Sequence, residues 1–102
     1  MANLDDAIKV TVDGITVTSG AASARSALPV NAAGTTARVI RVKCSDPVGY
    51  AYVLPGNSSV VATTASLSIG NYAEYLDVTG CTHIAYIQGS AAAVINIVPV
   101  EW

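Results

Sequence analysis

Short runs of β-branched residues, cut at close intervals by turn formers, constrain this chain more than any other feature. Valine, isoleucine and threonine fill 31 of its 102 positions, and phenylalanine is absent. Such side chains lose rotamer freedom in a helix and pack well on a pleated surface. The punctuation is Asp13-Gly14, Gly20, Gly34, Asp46-Pro47, Pro55-Gly56-Asn57, Gly70-Asn71, Gly80 and Gly89. Strand-length runs at this spacing predict an antiparallel sandwich or small barrel. No segment carries a strong helical signal, and no repeat has a solenoid period. A chain of 102 residues has room for one core and not for two.

The clearest local pattern is Ile8-Lys9-Val10-Thr11-Val12 and Ile15-Thr16-Val17-Thr18 on either side of Asp13-Gly14. Asp-Gly tolerates the positive φ angles of a type I′ turn, so the pattern predicts a two-residue hairpin with Val12 opposite Ile15 and Val10 opposite Val17. Further strands are expected at Ser23–Leu28, Thr36–Cys44, Gly49–Leu54, Ser59–Thr63, Tyr72–Val78, His83–Gln88 and Ala92–Val100. In Thr36–Cys44, alternation puts Ile40, Val42 and Cys44 on one face and Val39, Arg41 and Lys43 on the other. The fold expected is all-β: a single antiparallel β-sandwich domain over residues 1–102, about eight short strands, with the jelly roll among its forms. Extended terminal arms are expected at 1–7 and 98–102.

Ala92–Val100 is apolar on both faces, with Val94, Val98 and Val100 on one and Ala93, Ile95 and Ile97 on the other. A strand of that kind is buried on both sides. Its second cover is either another subunit or a loop of the same chain, which makes Ile95 and Ile97 interface candidates. Tyr50 and Tyr52 share a strand face as core residues or as interface anchors, and Trp102 is an aromatic anchor at the chain end. Only 12% of residues are charged against roughly 25% in an average domain. A homo-oligomer is therefore expected, a trimer before a dimer, because obligate interfaces resemble a core cut in half.

Composition and motif searches exclude several functions. Hydrophobic residues make up 52% of the chain, which rules out disorder. Five basic residues and a net charge of −2 leave no footprint for a nucleic-acid backbone, and no basic groove accompanies the tyrosines. The acidic N-terminus, Met1 to Asp6, does not read as a secretory signal, and no apolar run is long enough for a membrane helix. Synthesis in a cytoplasm is expected, with Cys44 and Cys81 as free thiols and the Asn57-Ser58-Ser59 sequon unused. His83 is the single histidine. Cys81 and His83 point the same way on a strand but fall short of the three or four ligands of a zinc site. No nucleophile elbow, phosphate loop or carboxylate pair is evident. The expectation is therefore no enzyme, no metal and no cofactor.

Five segments carry a resemblance. They are Ser23 to Pro29, Ala37 to Val42, Ser58 to Thr64, Glu74 to Val78 and Thr82 to Gln88. Together they resemble the head decoration (cement) proteins of tailed bacteriophages over about Ser23 to Gln88, in a rhythm of strands and turns. No residue role is carried over. The resemblance implies a virion protein on the capsid exterior that binds across junctions of the major capsid protein, as a symmetric oligomer. Two other expectations stand beside it. One is another virion part, such as a tail or head–tail accessory protein or a fibre module. The other is a carbohydrate-binding module using Tyr50, Tyr52 and Trp102.

Overall fold

In the computed structural model the described residues are 10, 12–45 and 50–100, and they form eight strands with no helix. The strands are β1 (Ile15–Thr18), β2 (Ala24–Ala27), β3 (Val39–Cys44), β4 (Ala51–Gly56), β5 (Leu67–Ile69), β6 (Glu74–Asp77), β7 (His83–Gln88) and β8 (Val94–Val100). They make two four-stranded antiparallel sheets, ordered β1-β8-β3-β6 and β2-β7-β4-β5. The chain is an all-β sandwich.

The expected alternation explains the core. Along β3, Ile40, Val42 and Cys44 are fully buried, while Val39, Arg41 and Lys43 are half-buried on the opposite face. Ile95 and Ile97 of β8 pair with Cys44 and Val42 and share their face. From the other sheet, Ala51, Val53, Ile69, Ile84 and Tyr86 complete one cluster. Each of the larger side chains contributes about 1.5–3 kcal/mol by leaving water. The single buried polar residue among those described, Ser19, is satisfied. Its hydroxyl donates to the Ala93 carbonyl at 3.2 Å and accepts from the Ala93 amide at 2.9 Å, tying the β1–β2 loop to the β7–β8 loop.

Four expectations need correction. Neither Asp13 nor Gly14 has a positive φ, so no type I′ turn forms there. β1 pairs with β8 instead, and Val10 and Val12 lie outside any strand. Ile8, Lys9 and Thr11, and with them the arm expected at 1–7, fall outside the described residues. Ser59–Thr63 is not a strand. The Asn57 Oδ1 accepts from the Ser59 amide at 2.9 Å and its hydroxyl at 2.8 Å, and this local pattern competes with a ladder. A strand absent from the sequence reading, β5, supplies the missing edge beside β4. Lastly, Val98–Val100 is no arm. These residues close β8 against Val39 to Arg41 of β3, and residues 101–102 lie outside the described set.

Residues 57–66 return across the second sheet to its far edge strand. The Arg25 guanidinium donates to the Val60 carbonyl at 3.3 Å, and the Ala62 amide donates to the Ser23 hydroxyl at 2.9 Å. Ala62 is buried as a result.

Candidate functional site

The residues singled out in the sequence do not converge. Ile95 and Ile97 have 0% exposure within the single chain, packed on the opposite sheet. They offer no surface to a second subunit, which corrects their reading as interface residues. The two-sided apolarity of β8 resolves differently on its two faces. Its inner face fills the core, and its outer face carries partly exposed Val94 and half-buried Val98. Tyr50 and Tyr52 do meet, with ring centroids 5.9 Å apart, but their planes cross at 78°. This edge-to-face pair makes no flat platform for a sugar ring, and the Tyr50 ring is seated directly over Gly89. Trp102 lies outside the described residues.

The two thiols are unbridged. Cys44 is buried at the end of β3, with its Sγ 3.7 Å from the Ile69 carbonyl oxygen. Cys81 follows β6, where its amide donates to the Val78 carbonyl and Val78 in turn to that of Arg38. The length of β3 separates them. His83 shares a 2.9 Å hydrogen bond between its Nδ1 and the Thr82 hydroxyl. Among the described residues no three His, Cys, Asp or Glu side chains gather as metal ligands. No described helix is long and apolar enough to cross a membrane.

One concave feature does bring polar groups together. Val39 pairs with Asp77 of β6 on one side and with Val100 of β8 on the other. Paired residues share a sheet face, so these three meet at one end of the first sheet. The β2–β3 loop arches beside them and adds Asn31, Ala37 and Arg38, while Thr79 comes from the β6–β7 loop. The hollow so formed measures about 340 Å³. Its apolar part is Ala37, Val39 and Val100, and its polar part is Asn31, Arg38, Asp77 and Thr79.

Local hydrogen bonds hold these groups in place. The Asn31 Oδ1 accepts from the amides of Ala33 at 3.0 Å and Thr35 at 3.1 Å, and from the Thr35 hydroxyl at 3.1 Å. The loop closes through Gly34, whose φ of 82° lies in the left-handed region that favours glycine. The Asp77 Oδ1 accepts from the Thr79 hydroxyl at 2.7 Å and the Thr79 amide at 2.9 Å. The hydroxyl bond and then the amide bond hold the Asp77 carboxyl below its ordinary 3.8; desolvation opposes them, and the Arg38 charge is the smallest of the four influences, acting in the same direction as the two bonds.

A folded value below the unfolded one means that this carboxylate stabilises the fold fully above the unfolded value. The contribution is lost as pH falls through the folded value. The expected NMR titration of Asp77 has its midpoint below 3.8, and Thr79→Ala moves it up towards 3.8. An unshifted midpoint in the wild type contradicts the assignment.

No motif in the sequence singles out Asp77. The signal available was the Asp77-Val78-Thr79 spacing, in which an Asx turn fixes one carboxylate oxygen. Joining Asp77 to Asn31 and Val100 required the strand register. No protein-family model, curated protein or solved structure was found to match this chain.

Proposed function

We propose that this chain is a non-enzymatic structural protein of a phage virion, which decorates the capsid exterior and stabilises it by binding across junctions of the major capsid protein. The observation that carries this reading is the nested strand pairing. β1 pairs with β8, β2 with β7, β3 with β6 and β4 with β5, and alternate pairs lie in opposite sheets. That is one long hairpin wound upon itself, which we read as a jelly roll, the winding of viral capsid and lectin domains. A fold by itself does not assign a function. The phage-like rhythm from Ser23 to Gln88 supplies the second support.

The surface suits a role made of contacts. The outer face of the first sheet presents Thr16, Thr18, Val94, Asn96 and Val98 around Arg41 and Lys43. Val61, Leu54, Leu67 and Tyr72 add exposed apolar area elsewhere. In this reading the protein is made in the host cytoplasm, assembles as a homo-oligomer, a trimer rather than a dimer, and joins the shell at positions of matching local symmetry.

Co-sedimentation with undecorated mature capsids tests the proposal, with light scattering of the free protein giving its oligomeric state. Binding is expected to saturate and to change little between low and high salt, because few charges contribute. No binding at any salt overturns the decoration role. Binding abolished by moderate salt refutes the apolar mechanism. Binding to isolated tails instead of heads moves the protein to another part of the virion.

A further inference from the structure

We infer that the hollow at the β6–β3–β8 end of the first sheet is a binding site for a neutral saccharide, engaged through a pair of ring hydroxyls. The hollow is distinct from the Tyr50–Tyr52 pair, and its binding role does not rest on the capsid role.

Both Thr79 hydrogen bonds fall on Oδ1 of Asp77, which leaves Oδ2 as an acceptor for a ligand. The carboxyl is held ionised, so it donates nothing. Arg38 is exposed and contributes only donors. The Asn31 carbonyl oxygen already takes three hydrogen bonds within its loop, which leaves that side chain's Nδ2 as a donor. The hollow therefore combines one fixed acceptor with two donors beside an apolar patch of Ala37, Val39 and Val100.

A hydroxyl is the group that donates and accepts at once. Two neighbouring hydroxyls can give a hydrogen to Asp77 while accepting from Arg38 and Asn31. A pyranose ring presents such hydroxyls at its rim and a C–H face to an apolar patch. A charged ligand is the weaker fit. Asp77 and Arg38 are solvent-exposed, and ion pairs in that setting gain little. The volume lies near the lower end of small-ligand sites, of order 300 Å³. Affinity on the order of millimolar is expected for so open a site. If the protein also coats a shell in many copies, as proposed above, avidity multiplies that affinity by roughly 10²–10⁴.

The test is an amide NMR titration of the full chain with methyl glucoside, methyl galactoside and methyl mannoside, with glycine as a zwitterion of opposite prediction. At least one glycoside is expected to give saturable shifts at Asn31, Val39, Asp77, Thr79 and Val100, unchanged by added salt. Asp77→Asn keeps an oxygen for Thr79 and replaces the free acceptor with a donor, and Arg38→Ala removes the guanidinium. Each is expected to weaken binding at least tenfold while its amide spectrum remains that of the native fold, and Arg41→Ala is expected to leave binding unchanged. No saturable shift with any glycoside at tens of millimolar overturns the inference. So do shifts by glycine alone, shifts centred on Tyr50 and Tyr52, or undiminished binding in both folded hollow variants. Capsid binding is read separately by sedimentation, so failure here leaves the decoration proposal standing, and the reverse also holds.

Discussion

Ile97→Asp is expected to abolish the cooperative fold. Ile97 pairs with Ile15 on one side and Val42 on the other, and its side chain is fully buried between the sheets. No described cation lines the core around it to pair with a carboxylate. Burying an unpaired charge costs far more than a domain of this size can lose. The milder Ile97→Ala keeps the fold but leaves a cavity, at about 2–5 kcal/mol. Urea denaturation followed by circular dichroism measures both. Val94→Asp, on the outer face of the same strand, is the control and is expected to stay folded. A cooperatively folding Ile97→Asp protein contradicts this packing.

Gly14→Ala is expected to destabilise the protein by about 3 kcal/mol, the upper range for overpacking. A Cβ at Gly14 overlaps the Ile97 carbonyl oxygen and comes within 2.7 Å of the Val98 Cα. These are backbone atoms of β8 and cannot swing aside, so β1 must peel away. The cause is therefore close approach and not φ. Gly80 provides the contrast, with a φ of 83° and nothing within 4 Å of an added Cβ. Gly80→Ala meets only left-handed strain of about 1–2 kcal/mol. Gly80→Asn recovers part of that loss, whereas Gly14→Asn recovers none. Equal costs at Gly14 and Gly80 in thermal melts contradict the distinction.

Period-two patterning made much of the fold legible. β7 runs from His83 to Gln88 as expected, and β3 buries the face carrying Ile40, Val42 and Cys44. The departures from expectation share one physical cause: a local signal does not reveal the long-range partner that decides its conformation. Asp13-Gly14 has the composition of a hairpin turn, yet Gly14 is required by β8, more than eighty positions away in sequence. Val60 and Val61 gave Ser59–Thr63 a strand-like composition, while Asn57 captured the neighbouring amide for a turn. Leu67-Ser68-Ile69 is too short for periodicity to register, and its ladder comes from β4. The double apolarity of β8 was visible, but one strand cannot show which face its own fold will cover.

The hollow was the least legible feature. Its walls come from the β2–β3 loop, the ends of β3, β6 and β8, and the β6–β7 loop. No window of sequence holds Asn31, Asp77 and Val100 together. Only the register that sets Val39 between Asp77 and Val100 joins them.

The central claim is that this sandwich strengthens a shell by bridging its subunits. Its most direct test is the temperature at which undecorated mature phage capsids release their DNA, measured with and without saturating protein. The account predicts a rise in that temperature that follows occupancy and persists at high salt. Full occupancy with no change in the release temperature contradicts it.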